Sequence, residues 1–247
     1  MTSRAKRRFR PGLWATVALV PALALLLGLG VWQLDRLQWK QELEAELKAR
    51  REAPAIALPQ PLGDPRAIEY RRVKLTGRYL HARELYMGAR PRKGRPGYHV
   101  ITPFRLADGR AVLVNRGWVP QARRDPATRP AGQPTGTLTL EGIVRRGGWQ
   151  GSDLFRPAND PAGNLWLWMD LPAMAKAAEL SKPVTEVYVT LARDDTPGTP
   201  PVAVEVPVDL PGNHLQYALT WFALAAVLLA IYILYHWRRP APTEQGG

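Results

Sequence analysis

The sequence predicts an α+β membrane protein: two transmembrane helices flanking a mainly antiparallel β extracytoplasmic domain that carries a short helix. Three observations predict it. Residues 13–32 and 215–235 hold no charged side chain, and about 20 residues rising about 1.5 Å each cover about 30 Å of hydrocarbon. Between them lie short segments of strand-like pattern, rich in β-branched and aromatic residues. Asp108-Gly109 joins two of these segments, and that dipeptide favours a hairpin turn.

Taken in order, residues 1–12 form a basic tail, 13–34 the first span, 35–213 the outer domain with its leading helix, 214–237 the second span and 238–247 a second tail. A cleaved signal peptide would have a shorter apolar run followed by small residues. Here Trp32, Gln33, Leu34, Asp35 and Arg36 follow, so an uncleaved anchor is expected. Pro21 sits mid-span, where a bilayer tolerates a kinked helix. Arg4, Lys6, Arg7, Arg8 and Arg10 precede the first run, and Arg238 and Arg239 follow the second. Cations at those places put both termini in the cytoplasm and the domain outside. The tail is too short and too uniformly basic for an organellar transit peptide. The expectation is therefore a bacterial inner membrane protein, with the lipid bilayer as one partner and the domain in the periplasm.

After the first span, residues 35–52 continue as helix, with Glu42 to Glu46, Glu44 to Lys48 and Glu46 to Arg50 at helical spacing. Pro54 stops it, and 54–65 reads as proline-rich linker. Strands are expected at 70–79, 84–87, 98–106, 111–119, 137–145 and 184–191, and an alanine-rich helix at 171–179. Residues 120–136, rich in proline and glycine, read as a surface loop.

Composition narrows the function. The formal charge is +13, but it is concentrated at the membrane flanks and otherwise dispersed among acids and prolines. A nucleic-acid-binding stripe of cations and aromatics is lacking, so no nucleic-acid partner is expected. With no cysteine, disulfides, thiolate metal sites and cysteine catalysis are excluded. There is no nucleophile elbow, phosphate loop, dinucleotide fingerprint or two-histidine zinc helix, so a periplasmic hydrolase is remote and no catalytic residue is assigned. Copper handling lacks a Cys or Met-rich ligand set.

Of the four histidines, His81 and His99 lie in or beside strands and read as ordinary surface or packed residues. His236, beside Trp237, reads as an interfacial residue that snorkels. His214 differs, because it stands at the outer mouth of the second span, where an ionisable group is a functional candidate. Tyr217, Ala218 and Trp221 share its helical face and border it with an apolar wall that can seat a flat macrocycle; an aromatic-belt role also accounts for Tyr217 and Trp221. The outer end of the first span, with Trp32, Gln33 and Arg36, lies at the same depth. One site built by both helices follows as an expectation: His214 ligates haem iron while Arg36 pairs with a propionate.

The chain resembles the surfeit locus protein 1 family, membrane-bound assembly factors of cytochrome c oxidase. The resemblance runs through Gly30-Val31-Trp32-Gln33 with Arg36 and Lys40, Glu69-Tyr70-Arg71, Gly77-Arg78-Tyr79 and Glu84-Leu85-Tyr86-Met87. It continues in Gly97-Tyr98-His99-Val100-Ile101-Thr102-Pro103-Phe104, Val114-Asn115-Arg116-Gly117-Trp118-Val119-Pro120, Gly142-Ile143-Val144-Arg145, Asn159-Asp160-Pro161, Asn164-Leu165-Trp166 and Asp170-Leu171. It ends in Asn213-His214-Leu215-Gln216-Tyr217-Ala218-Leu219-Thr220-Trp221-Phe222. Gly212 departs from the asparagine that many members carry two places before the histidine, which bears on a hydrogen bond beside it. The resemblance implies a non-enzymatic role in maturing the haem- and copper-containing catalytic subunit of the oxidase. It implies haem a as a transiently bound cofactor received from haem a synthase, with His214 as the implicated residue and Trp221 as a neighbour. A cofactor-free scaffold that steadies an oxidase assembly intermediate is the alternative, its contact placed at Asn115, Arg116, Gly117 and Trp118.

Overall fold

The computed structural model describes residues 8–9, 11–149, 151–206 and 212–238. The cations Arg4, Lys6, Arg7, Arg10 and Arg239, on which the orientation was read, lie outside them. In chain order the elements are β1 (Arg8–Phe9), α1 (Leu13–Glu52), β2 (Ile56–Ala57), α2 (Pro65–Ile68), β3 (Arg72–Tyr79), β4 (Leu85–Met87) and β5 (Gly97–Leu106). They continue with β6 (Ala111–Pro120), β7 (Leu138–Arg146), β8 (Leu165–Trp166), α3 (Leu171–Ala177), β9 (Val187–Leu191), α4 (His214–His236) and β10 (Trp237–Arg238). The chain divides into two compact units, one of Met1–Ala45 with Asp209–Gly247, the other Glu46–Val208.

In the first unit α1 and α4 are both long and apolar enough to cross a membrane. They run antiparallel: Gly12 lies near His236, Thr16 Oγ1 is 2.5 Å from Tyr232 Oη, Gly30 meets Phe222, and Gln33 meets His214. Ala218 and Ala225 are buried, while Leu219 and Leu224 between them face outward. An exposed apolar surface of this kind is what lipid covers. Helix α1 passes through Pro21 without interruption. Beyond its apolar part it is held by pairs four residues apart, Gln38 to Glu42, Lys40 to Glu44, Glu46 to Arg50 and Lys48 to Glu52. His236 differs from its expected snorkelling role. It is buried, with Nδ1 2.8 Å from the Tyr232 carbonyl and its ring packed on Tyr232 and Tyr235, because neighbouring aromatics one turn away enclose it.

The second unit is β-rich. Strand β3 pairs antiparallel with both β7 and β5, β7 pairs antiparallel with β9, β9 parallel with β6, and β6 antiparallel with β5. Those pairings close the five strands into a ring. Inside it lie Val73, Leu75, Phe104, Val112, Val114, Leu140, Val144, Val189 and Leu191. Strand β4 extends the sheet from β5, β8 from β4, and β2 from β3. A second core of Leu85, Met87, Ile101, Leu113 and Trp166 is capped by Leu171 and Met174 of α3, so β5 and β6 are covered on both faces. The turn at Asp108-Gly109 connects them, with Asp108 Oδ1 accepting from the Arg110 amide at 3.0 Å.

Two sequence expectations change here. Part of 54–65 is structured, since Ile56–Ala57 pairs with β3 and Asp64 caps α2 through the Arg66 amide. The segment 120–136 is not wholly a surface loop, because Arg129 and Gly132 are buried within it.

Candidate functional site

Residue His214 opens α4, and its Nδ1 lies 2.8 Å from Gln33 Oε1 on α1. Gln33 comes one turn after Gly30, and Phe222 two turns after His214, so the two contacts stack along one seam. A side chain at position 30 would overlap the Phe222 ring. Glycine there lets the helices approach closely enough for an amide to span between them. On the other side of the imidazole, Gly212 has φ +152°, and a Cβ there would stand 2.8 Å from His214 Nε2. The Gly212 carbonyl in turn receives Lys40 Nζ at 3.4 Å. One imidazole nitrogen is thereby engaged, and the other faces side-chain-free backbone.

The other residues singled out from sequence stand as follows. Trp221 is half-buried, whereas Tyr217 and Trp32 are each 56% exposed and turn outward. The guanidinium of Arg36 lies 3.9 Å above the Trp39 ring, with no ion-pair partner among the described residues. Of the six, Gln33 and His214 are joined by a hydrogen bond. Gly30, Gly212 and Lys40 complete the arrangement and were not read as site residues; the signal available was that positions 30, 33 and 40 recur at helical spacing on α1.

The β-rich unit holds a second concentration of ionisable groups. Glu84 Oε2 accepts from Arg129 Nη2 at 2.5 Å and Oε1 lies 3.4 Å from Arg116 Nη1. Asp195 Oδ2 receives Arg116 Nε and the Tyr79 hydroxyl, each at 2.8 Å. Both arginine side chains are fully buried. Burial alone would raise the Glu84 carboxyl. The opposing contacts, His81 at 3.7 Å and the two guanidinium groups, hold it instead at about 2. Burial pushes the Tyr79 hydroxyl up, reinforced by Asp195, and burial with Glu84 nearby raises Tyr86 to about 12. His99, expected to be an ordinary packed histidine, is lowered to about 4 by burial first and by Arg90 and Arg92 second.

This network corrects the surface proposed for a scaffold. Asn115, Arg116, Gly117 and Trp118 lie on β6, and all four are buried. Arg116 is consumed by Glu84, Asp195 and the Gly132 carbonyl, Asn115 Oδ1 caps the Gly117 amide, and Trp118 Nε1 donates to the Arg90 carbonyl. The signal was present in the sequence: a continuous apolar run on both sides of Asn115-Arg116 marks a strand covered on both faces.

A model of the SURF1 family matches residues 20–226, from within the first apolar helix to within the second. The chain belongs to the SURF1 family. Among its relatives in that family are a SURF1-like protein of Monosiga brevicollis, 38% identical over 90% of this chain and 87% of the relative. Surfeit locus protein 1 of Mus musculus is 38% identical over 84% of this chain and 70% of its own length. Surfeit locus protein 1 of Homo sapiens is 36% identical over 84% and 72%. The SURF1 match takes in both Gln33 and His214 as well as the whole buried network.

Proposed function

We propose that the chain is a non-enzymatic assembly factor for haem-copper cytochrome c oxidase. It binds haem a at the outer rim of the α1–α4 hairpin and aids its insertion into the catalytic subunit. The observation that carries this reading is the His214–Gln33 pair. An imidazole with one nitrogen satisfied at 2.8 Å and the other facing glycine backbone has the donor set that would hold haem iron. Trp221 follows two turns along α4 and is half-buried. The unpaired Arg36 supplies a cation for a propionate. Bound there, haem a is cargo, received from haem a synthase and released to the oxidase subunit, so His214 acts as an exchangeable ligand.

The proposal includes location: a bacterial inner membrane, with two spans, both termini cytoplasmic and the β-rich unit periplasmic. The apolar lengths of α1 and α4 support the two spans, and the cation distribution of the sequence supports the orientation. The cofactor-free alternative keeps no support from the Asn115–Trp118 stretch, which is buried.

The test is the optical spectrum of the full chain, purified in detergent after co-production with haem a synthesis. A Soret band is expected, and His214→Ala should weaken it several-fold. An undiminished band in that variant would rule out His214 as the ligand. Pull-down of the oxidase core subunit by the haem-free variant would favour the scaffold.

A further inference from the structure

We infer that Gln33 is a positioning residue, which fixes the tautomer and ring plane of His214 so that Nε2 is the presented nitrogen, and that Gly212 keeps the approach to that nitrogen open. The inference rests on the haem-ligating reading of His214 and deepens it.

An amide oxygen only accepts, so at 2.8 Å from Gln33 Oε1 the His214 Nδ1 carries the proton. In a neutral imidazole the other nitrogen is then the lone-pair donor. Nε2 is thus made available by a residue on the opposite helix that has no need to touch the ligand. The reach of Gln33 depends on the close approach one turn earlier, where Gly30 admits the Phe222 ring.

At φ +152° residue 212 sits in a region that side chains rarely adopt, and its absent Cβ would fall 2.8 Å from Nε2. A side chain there would crowd the nitrogen that Gln33 frees. Lys40 Nζ on the Gly212 carbonyl at 3.4 Å ties this backbone to α1. One helix therefore acts on both sides of the ring, through Gln33 on Nδ1 and through Lys40 on the backbone facing Nε2. Partners of this kind usually change metal affinity by about 10–100-fold when removed, because they hold ring orientation and donor strength.

The experiment compares Gln33→Met, Gln33→Glu, Gly212→Ala and His214→Ala in the full chain in lipid nanodiscs. Each is titrated with ferric haem, and its iron–imidazole stretch is recorded by resonance Raman after reduction. Membrane-inserted yield and helical circular dichroism report folding independently. Gln33→Met, nearly isosteric but without an acceptor, should weaken binding about 10–100-fold at unchanged helicity. Gln33→Glu keeps an acceptor on Nδ1, so it should bind within about threefold of the parent and shift the stretch to higher frequency, as a more strongly held N–H makes a better donor of Nε2. Gly212→Ala should weaken binding about tenfold or more.

If His214→Ala binds haem as well as the parent, the haem-ligation reading itself falls. If His214→Ala loses haem while Gln33→Met does not, that reading stands and only the positioning role of Gln33 is overturned. Loss in Gln33→Glu equal to that in Gln33→Met also overturns it, since an acceptor would then be irrelevant. Unchanged affinity in Gly212→Ala overturns the access role of Gly212.

Discussion

Arg129 reaches out of a proline-rich segment to set its Nη2 2.5 Å from Glu84 Oε2, and both side chains are almost wholly shielded from water. The carboxylate is shared with Arg116, which carries a second, independent carboxylate in Asp195. Two guanidinium groups and two carboxylates thus balance one another in a low-dielectric interior. Such an arrangement stabilises only while complete, since the desolvation of each ion is offset by its partners.

Glu84→Gln should therefore be severe. It keeps the size of the side chain but leaves Arg129 without a counter-ion, and losing one partner of a buried pair typically costs about 3–5 kcal/mol. The denaturant midpoint of the full chain in detergent, read by tryptophan fluorescence, should fall accordingly; a midpoint within error of the parent would show that the network is not holding the fold.

Acid should unfold the chain in two overlapping stages. His99 is held near 4 against an ordinary 6.5, so the unfolded state takes its proton first, and stability declines as pH falls from 6.5 toward 4. Glu84, held near 2 against 4.5, contributes stability that is present above 4.5 and lost as pH falls toward 2. His99→Gln should flatten the first stage and leave the second. If the pH dependence of the midpoint between 6.5 and 4 is the same in that variant, His99 is not its source.

Alkali acts through the tyrosines. Tyr86 is raised to about 12 from 10.0, so its neutral form favours the folded state, and that contribution disappears as pH rises from 10 to 12. Tyr86→Phe should lessen the loss of stability over that interval, as followed by the same fluorescence midpoint. An unaltered alkaline slope would assign the effect elsewhere.

Gly30→Val should separate the hairpin. The added side chain meets the Phe222 ring, and packed interfaces relieve such overlap by moving backbone. Because the chain has no cysteine, spin labels introduced as Leu25→Cys and Leu224→Cys give the interhelical distance directly. A longer distance is expected in Gly30→Val, with partial recovery on adding Phe222→Ala. Identical distance distributions in all three would mean that the seam does not depend on this contact.

The elements most easily read from the sequence were those with a sustained pattern. Strand β3 alternates buried and exposed residues from Arg72 to Tyr79, β5 and β6 flank an Asp-Gly turn, and each apolar helix is an unbroken run. Strands β2 and β8 escaped because two residues carry no period; only the neighbours in the sheet define them. The role of 120–136 escaped for a different reason. Proline and glycine report backbone geometry, whereas the burial of Arg129 is decided by Glu84, far away in sequence. In the hairpin, His214 and Gln33 were legible from their placement at the two span ends. Their hydrogen bond was not, because it depends on how closely Gly30 lets the helices pack.

The ring formed by β3, β7, β9, β6 and β5 leaves few backbone amides and carbonyls open to a neighbouring molecule. Among the described residues, the strands that end the sheet are β2 and β8, each two residues long. Long open sheet margins are templates along which neighbouring molecules zip together into fibrils. Closure withholds that template, so chains of this kind can be crowded side by side without polymerising through their strands.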